Sequence, residues 1–317
     1  MTDITVFSGH AHREFAEEMC DILGVELSPT RLSHFSNDCM QVQLRANCRQ
    51  RDVYIVQPLV PPTQENLMEL LMMVDAARGA SAGHVTVVMP HYAYARSDKK
   101  DAPRISIGGR LVADLIHTAG ANRVLTMALH AQQVHGFFSM PVDHLTALPV
   151  LAKHFKARDL RNTVVVSPDF GNAKEANLFA RMLGVGMAAG SKRRQADDKV
   201  VIDAIVGKVG GKDVIILDDE IATAGSVVEL IEAVRRYHVN SISVATTHGL
   251  FTGKAIERLN AQPDIIEIVA TNTVPAPAGL NRLTVTSVAP LFAEAVRRIN
   301  CGESVSGLFS DEDTYGE

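Results

Sequence analysis

The chain has 317 residues, a formal net charge of −5 and a hydrophobic content of 46%, which together fit two globular domains with their own cores. The mild negative charge excludes the basic footprint of a nucleic-acid-binding protein, and no apolar run approaches the roughly 18 residues that span a membrane. Four cysteines without paired spacing and an N-terminus without a signal pattern complete the expectation of a cytoplasmic protein.

The first half of the sequence alternates apolar runs with helical periodicity, as βαβ units do. Strands are predicted at Ile4 to Phe7, Met40 to Leu44, Val53 to Val56, Val85 to Met89 and Arg123 to Met127. Helices are predicted at His12 to Leu23, Gln64 to Arg78 and Ile107 to Thr118. The second of these helices is the clearest, since leucine and valine recur along one face from Leu67 to Val74.

The second half continues the same rhythm. Strands are predicted at Val164 to Val166, Val200 to Val206, Val214 to Leu217, Ser241 to Ala245, Ile265 to Val269 and Leu283 to Thr286. Helices are predicted at Leu148 to Phe155, Ala173 to Leu183, Ser226 to Tyr237, Gly253 to Leu259 and Ala289 to Ile299. The predicted fold class is therefore α/β, with two similar domains at residues 1–145 and 146–317, each a mainly parallel sheet flanked by helices.

The stretch from Val214 to Ser226 combines the features of a sugar-phosphate pocket. An apolar run ends at Asp218-Asp219, and ligands of open α/β sheets bind beyond the carboxyl ends of such strands. Paired carboxylates can accept hydrogen bonds from vicinal hydroxyls or help to hold a divalent metal. The following Thr223-Ala224-Gly225-Ser226 offers hydroxyls and backbone N–H groups to a phosphate. The alternative is an acidic turn in which Asp219 or Thr223 caps the next helix.

This stretch resembles the phosphoribosyl-diphosphate (PRPP) signature of the type I phosphoribosyltransferase superfamily, whose members consume or make PRPP. Four further motifs resemble those of the ribose-phosphate pyrophosphokinases in the same order, at Asn66 to Arg78, Arg96 to Lys100, Leu129 to Phe138 and Val166 to Asn172. The likeness spans essentially the whole chain and implies two tandem type I phosphoribosyltransferase-like domains. It also implies transfer of the β,γ-diphosphate of ATP to the 1-hydroxyl of ribose 5-phosphate, which gives PRPP and AMP.

The resemblance assigns the chemistry mainly to cations, because diphosphoryl transfer needs charge neutralisation and alignment more than covalent help. Lys192 and Arg194 match the family's catalytic pair, on a polar run from Ser191 to Lys199 that favours a mobile loop. An isolated Lys-Arg-Arg would more simply be a solvated basic turn. The residues expected at ribose 5-phosphate are Arg194, Asp218, Asp219, Ala222, Thr223, Ala224, Gly225 and Ser226.

The resemblance also implies that His130 and Asp169 hold a Mg²⁺ ion bound to ATP, although Mg²⁺ generally prefers oxygen ligands. The alternatives are a structural histidine and a helix N-cap. The residues expected at ATP are Phe35, Asn37, Asp38, Cys39, Arg96, Ser97 and Asp98. Arg96 suits triphosphate oxygens through bidentate contacts. Phe35 is either a core residue or, as the resemblance implies, the aromatic that stacks on adenine from a neighbouring subunit. The second interpretation implies a homo-oligomer built from dimers, which in the family assemble into hexamers.

The sequence departs from the family pattern mainly at its sites. Asn37 and Cys39 stand where the family has acidic residues that read adenine, which puts adenine selectivity in question. Ala128 replaces the aspartate before Leu129-His130, and Ala222 stands where many relatives have a third aspartate. Phe170-Gly171-Asn172 replaces the family's Gly-Gly pattern after the metal aspartate.

Three hypotheses follow from these departures. The first is an active ribose-phosphate pyrophosphokinase that uses ATP and ribose 5-phosphate. The second is a sugar-phosphate diphosphokinase with an altered nucleotide or sugar preference. The third is a non-catalytic homologue that binds nucleotides or regulates a true synthetase, and the retention of Lys192, Arg194 and Asp169 argues against it. An ordinary phosphoribosyltransferase would leave the motifs of the first half without a role.

Overall fold

The structure, a computed structural model, describes residues 3–196 and 199–308. Its strands are β1 (Ile4–Ser8), β2 (Leu27–Ser28), β3 (Thr30–His34), β4 (Met40–Leu44), β5 (Asp52–Val56), β6 (His84–Met89), β7 (Arg123–Met127), β8 (Val142–Leu145), β9 (Thr163–Ser167), β10 (Gly186–Ala196), β11 (Lys199–Val206), β12 (Asp213–Ile221), β13 (Ser241–Gly249), β14 (Ile265–Thr271) and β15 (Leu283–Thr286). Its helices are α1 (Arg13–Leu23), α2 (Thr63–Gly79), α3 (Gly108–Ala119), α4 (Leu148–Phe155), α5 (Ala173–Leu183), α6 (Gly225–Arg235), α7 (Ala255–Asn260) and α8 (Ala289–Cys301). Within these two ranges no helix is both long and apolar enough to cross a membrane.

The first compact unit contains the chain up to Thr146 and again from Val288. Its main sheet has the order β2-β1-β5-β6-β7-β8, and all of its pairings are parallel. Alternate residues of β5 serve the two faces of this sheet, as the period of a strand requires. Val53 and Ile55 join the apolar cluster that α2 and α3 complete, while the hydroxyl of Tyr54 donates to the Val296 carbonyl of α8 at 3.4 Å.

The helix α8 belongs to this first unit, although the sequence-based division gave residues 146–317 to the second domain. The reason is the apolar face that α1 would otherwise expose. The rings of Phe15 on α1 and Phe292 on α8 meet edge to face with centroids 5.4 Å apart, and neither is exposed. The side chain of Asn300 also donates to Asp52 at 2.8 Å. The chain therefore leaves the first unit at Thr146 and returns to it at Val288.

The second unit, Ala147–Ser287, contains a sheet with the order β11-β10-β9-β12-β13-β14-β15. All pairings in it are parallel except that of β10 with β11. Apolar residues of β12 and β13 pack with those of α6, so that one face of the sheet is covered by the helix that follows β12.

The two units share one strand order. The five neighbouring pairs from β2 to β8 follow the same order as the five from β10 to β15. In this comparison β2 corresponds to β10, β1 to β9 and β5 to β12. This repeat agrees with the predicted pair of similar α/β domains. In each unit an antiparallel hairpin follows at one side: β3 pairs with β4 in a separate two-stranded sheet, and β10 pairs with β11.

Candidate active site

The carboxyl end of β12 carries the two predicted carboxylates, but the strand does not stop where the apolar run stops. β12 continues to Ile221, because Asp218 and Glu220 keep their parallel pairing with β13. The predicted end at Leu217 is therefore too early. Since successive residues in a strand point to opposite faces, Asp218 and Asp219 lie on the two sides of the strand end rather than side by side.

The connection from β12 to α6 is a short turn whose carbonyl groups accept hydrogen bonds from residues beyond β13. The carbonyl of Ala222 accepts the N–H of Thr252 at 2.8 Å, and the carbonyl of Thr223 accepts Nη1 of Arg258 at 2.8 Å. Ala224 has a φ of 58°, in the left-handed region that favours glycine. The role of Ala222 in this turn is thus carried by its backbone, so a side-chain carboxylate there is not needed to shape it.

The N-terminus of α6 is open. Ala224 is its N-cap residue, and within the described chain no side chain caps the helix. The first intrahelical bond of the turn runs from Val228 N–H to the Ala224 carbonyl at 3.0 Å, so the N–H groups of Gly225, Ser226 and Val227 precede the helical ladder. The alternative in which Asp219 or Thr223 caps this helix is therefore wrong. Free N–H groups at a helix start form an anion site.

The turn that carries Asp169 lies at the same edge of the second sheet, because β9 and β12 are parallel neighbours. Oδ1 of Asp169 accepts the N–H of Asn172 at 3.2 Å, and the Asp169 carbonyl accepts the hydroxyl of Ser167 at 2.7 Å. A Cβ on Gly171 would lie 3.1 Å from Oδ1 of Asp169, so glycine permits this tight turn. Asn172, not Asp169, is the N-cap residue of α5, and the predicted capping alternative for Asp169 is wrong.

Lys192 and Arg194 lie on β10, a strand that the sequence analysis did not predict. β10 pairs with β9 up to Ala189 and then continues past the end of β9 as one arm of the hairpin with β11. The predicted loop from Ser191 to Lys199 is therefore wrong up to Ala196, because these backbone groups pair with β11. Residues 197 and 198 lie outside the described chain, as do the side chains of residues 192–201, and the roles of Lys192 and Arg194 stay predictions.

The first unit presents Arg96 and His130 at one edge, since they follow the parallel neighbours β6 and β7. Arg96 ends a short 3₁₀ helix, Ala93–Arg96, and its side chain is exposed. The two segments are joined where Nε2 of Gln133 donates to the Asp98 carboxylate at 2.6 Å. This bond keeps the segment after His130 beside the one that carries Arg96.

Ser97, a residue predicted to contact ATP, also accepts two hydrogen bonds from the start of α3. Its hydroxyl accepts the N–H of Gly108 at 2.8 Å, and its carbonyl accepts the N–H of Gly109 at 3.0 Å. Ser97 therefore satisfies the first donors of α3, and this hydrogen bonding is structural. The Ser97 hydroxyl accepts in this bond and keeps its own proton to donate, and its contact with ATP stays a prediction.

The turn that carries His130 is fixed by the neighbouring strand β8. Ala128 has a φ of 44°, and its N–H bonds to the Leu145 carbonyl at 3.0 Å. The next N–H, that of Leu129, donates to Nε2 of His144 at 2.8 Å. Burial, and then the charge of His135, lower the pKa of His144 to about 4, so its ring is a neutral acceptor at pH 7. The sequence analysis did not single out His144. The sequence shows it only as one of twelve histidines, and its bond to Leu129 is visible only in the structure.

Phe35 occupies the tip of the β3–β4 hairpin with 55% of its surface exposed, so the alternative of a core phenylalanine is wrong. Its N–H donates to the Cys39 carbonyl at 2.9 Å, and its carbonyl accepts the N–H of Asp38 at 3.0 Å. Asp38 has a φ of 66°, and Oδ1 of Asn37 accepts the N–H of Cys39 at 3.2 Å. The hairpin tip is thus shaped by its own backbone and leaves the ring of Phe35 outside.

The predicted metal ligands belong to different units, His130 to the first and Asp169 to the second. Among the side chains that the structure describes, no group of three or more His, Cys, Asp or Glu could hold a metal ion by itself. Each predicted ligand follows the carboxyl end of a strand in its own sheet. Their shared metal stays a prediction.

Comparison with known proteins finds close relatives over the whole chain. The profile of the N-terminal domain of ribose phosphate pyrophosphokinase matches residues 4–120, and that of the phosphoribosyl synthetase-associated domain matches residues 193–310. A putative ribose-phosphate pyrophosphokinase of Streptomyces coelicolor is 64% identical over 311 residues, or 98% of each chain. A ribose-phosphate pyrophosphokinase of Deinococcus radiodurans is 50% identical over 97% of this chain and 98% of its own.

The fold has a close counterpart among solved structures. The crystal structure of phosphoribosylpyrophosphate synthetase from Mycobacterium smegmatis matches with a TM-score of 0.89 at 35% identity. The match covers 95% of this chain and 99% of that one. Together with the repeated strand order, it confirms the predicted fold class of two tandem type I phosphoribosyltransferase-like domains.

Proposed function

Because the chain belongs to the ribose-phosphate pyrophosphokinase family, we propose that it transfers the β,γ-diphosphate of ATP to the 1-hydroxyl of ribose 5-phosphate. The products are PRPP and AMP, and the enzyme is a transferase of nucleotide biosynthesis. The observation that carries the proposal is the open N-terminus of α6, which directly follows the two carboxylates at the end of β12. This arrangement suits a ligand with a phosphate at one end and hydroxyls at the other.

Ribose 5-phosphate binds at this edge of the second unit in our proposal. Its phosphate accepts hydrogen bonds from the N–H groups that start α6 and from the hydroxyls of Thr223 and Ser226, which are both exposed. The carboxylates of Asp218 and Asp219 accept the sugar hydroxyls from the two sides of the strand end. Ala222, Ala224 and Gly225 contribute backbone only, which fits the close approach that a phosphate requires.

The diphosphate group lies between the Asp169 turn and the β10–β11 hairpin in this proposal. Lys192 and Arg194 neutralise its developing charge, and Arg194 also reaches the sugar phosphate. Asp169 and His130, with phosphate oxygens of ATP, are proposed to hold a Mg²⁺ ion, which fits the oxygen-rich ligand set that this ion takes in proteins. When bound, the ion offsets the negative charge of the phosphates. Asp169 is oriented for this role by the N–H of Asn172.

ATP binds to the first unit in our proposal, with its triphosphate at Arg96 and its base near the β3–β4 hairpin. The exposed ring of Phe35 supports stacking on adenine in a neighbouring copy, and hence a homo-oligomer built from dimers. Residues up to Thr146 form the ATP side, and the unit Ala147–Ser287 forms the ribose 5-phosphate side. We also propose a cytoplasmic location, in keeping with a metabolic enzyme of this family.

The test is an assay of the purified full-length chain with ATP, ribose 5-phosphate and Mg²⁺. We expect AMP and PRPP in equal amounts, and Lys192→Ala should lower the rate by orders of magnitude with an unchanged melting temperature. PRPP from another nucleotide but not from ATP would instead indicate an altered nucleotide preference. If folded protein forms neither product with any of several nucleotides and sugar phosphates, the proposed activity is refuted.

A further inference from the structure

The turn after β7 holds an alanine in an unfavourable conformation. Ala128 has a φ of 44°, in the left-handed region that is unfavourable for an L-residue with a Cβ. Such a conformation persists only where the surroundings impose it. Here two consecutive N–H groups donate hydrogen bonds to two consecutive residues of β8. The N–H of Ala128 donates to the Leu145 carbonyl, and the N–H of Leu129 donates to the His144 ring.

The second of these bonds is unusual because its acceptor is a side chain. The parallel pairing of β7 with β8 ends at Met127 and Leu145, so the ladder offers no further carbonyl to Leu129. Leu129 is 3% exposed and packs into the apolar cluster of the first unit. If His144 did not accept it, this N–H would be a buried donor that no other described residue is seen to accept, and such a donor destabilises the folded chain.

The proton positions in this bond follow from its chemistry. A backbone N–H can only donate, so Nε2 of His144 must be the acceptor and the ring carries its proton on Nδ1. His144 is paired with Thr126 across the two strands, and the two side chains therefore share one face of the sheet. The hydroxyl of Thr126 is buried and has no hydrogen-bond partner among the described residues, so it does not compete for Nε2.

We propose that His144 is a positioning residue that sets the orientation of His130. The side chain of His130 is exposed and begins one residue after the amide that His144 holds. His144 does not touch the nucleotide; it acts by fixing the strained turn from which His130 extends. The inference rests on the proposed function, since the orientation of His130 matters only if ATP and its metal bind at this edge.

The test compares two substitutions at position 144 in the full-length chain. His144→Gln retains an acceptor close to the place of Nε2, whereas His144→Leu has a similar volume and no acceptor. We expect His144→Leu to weaken the binding of ATP in the presence of Mg²⁺ about tenfold by calorimetry without ribose 5-phosphate, which corresponds to about 1.4 kcal/mol. It should raise KM for ATP by a similar factor and change KM for ribose 5-phosphate less than about twofold. His144→Gln should stay within about threefold of the parent.

Two controls separate positioning from a general loss of stability. His84 lies at the amino end of β6, at the opposite edge of the sheet, and His84→Leu should leave ATP binding unchanged. In a His130→Ala background, His144→Leu should cause no further loss of ATP affinity, because its effect passes through His130. If His144→Leu does not fold, His144→Asn replaces it, since its amide ends short of the Nε2 position.

The outcomes are distinct. The positioning role is overturned if folded His144→Leu or His144→Asn binds ATP as tightly as the parent and the parent forms PRPP. It is also overturned if His144→Leu lowers ATP affinity by its full factor in the His130→Ala background. A parent protein that neither binds ATP nor forms PRPP refutes the proposed function itself. Rescue by glutamine together with a non-additive cycle supports the proposal.

Discussion

Ser97 and Asn37, two residues predicted to contact ATP, each accept a backbone N–H through a side-chain oxygen. The Ser97 hydroxyl accepts the N–H of Gly108, and Oδ1 of Asn37 accepts the N–H of Cys39. Each of these oxygens keeps a second lone pair, so the bond fixes the orientation of the side chain and leaves it able to accept a further hydrogen bond. At both positions the side chain thus has a local structural role besides its predicted contact with ATP.

Phe35 offers a direct residue-scale prediction. Phe35→Ala should change the free energy of unfolding by no more than about 0.5 kcal/mol, because the ring is 55% exposed. It should raise KM for the nucleotide about tenfold or more, since stacking on a base contributes about 1–3 kcal/mol. Phe292→Ala is the matched control: this ring is fully buried, and its loss should cost about 3–5 kcal/mol of stability. Equal destabilisation by the two variants in urea unfolding would contradict the exposed position of Phe35.

His144 leads to a prediction about acid stability. Burial lowers its pKa to about 4 in the folded chain, against the ordinary value of 6.5 in the unfolded chain. Between these values the unfolded chain binds more protons, so stability falls as the pH is lowered from 6.5 towards 4 and does not depend on this group above 6.5. The loss attributable to His144 is roughly 3 kcal/mol over that window.

Urea unfolding of the parent and of His144→Gln at several pH values measures this contribution. The difference in unfolding free energy between the two should narrow or reverse in favour of the glutamine variant as the pH falls from 6.5. The charges of the other histidines are common to both proteins and cancel in the comparison. Parallel curves across the whole range would show that His144 is not buried in neutral form.

At the scale of the elements, apolar periodicity predicted most strands and helices because both faces of each sheet are covered. The helix α5, the strand β7 and the strand β15 have the predicted bounds. The sequence analysis missed strands, or parts of strands, that lack an apolar pattern and form because their backbones pair with a neighbouring strand. β10 runs through a basic and polar stretch, and β12 extends through three acidic residues to Ile221, because each finds a partner strand to pair with.

The candidate site was predictable to the extent that residue type dictated the chemistry. Paired carboxylates and a small-residue turn before a helix indicated a sugar phosphate, and the structure adds an uncapped α6 at that place. The position of Ser97 under α3 and the support that His144 gives to Leu129 could not be predicted. Both depend on contacts between residues that are distant in sequence and follow no periodic pattern.

The helix α6 permits a test in which stability and binding should change in opposite directions. Ser226→Glu places a carboxylate in the first turn, which should stabilise the helix by about 0.3–1 kcal/mol. The same carboxylate competes with a sugar phosphate for the free N–H groups, so KM for ribose 5-phosphate should rise at least about tenfold. Ser226→Gln, of equal size without charge, is the control and should raise KM much less. If Glu and Gln give the same KM, the phosphate does not bind at this helix start.

At the scale of the whole molecule, the first unit is discontinuous in sequence. Residues up to Thr146 and those from Val288 form one unit, and Ala147–Ser287 forms the other. α8 supplies Phe292 to the ring of Phe15 and a carbonyl to the hydroxyl of Tyr54. Without α8, this face of the first sheet would be covered by α1 only, and its apolar residues that are now buried would be exposed to water.

A chain that ends after Ser287 should therefore lose the first unit and keep the second. We expect hydrogen exchange to show loss of protection in β1 and β5 while β9 and β12 remain protected. The full-length chain with Phe292→Ala is the matched control and should show the same order of loss in a milder form. Undiminished protection of β5 in the shortened chain would show that α8 is dispensable for the first unit.

The return of α8 to the first unit also has a consequence for synthesis on the ribosome. The residues of Ala147–Ser287 must all be added before the helix that completes the first sheet exists. At about 5–20 residues per second, that interval lasts on the order of ten seconds. During it the nascent first unit carries an uncovered apolar face, while the second unit can already fold. Binding by a chaperone that recognises exposed apolar segments should therefore be concentrated on α1 and β5 and end when α8 emerges.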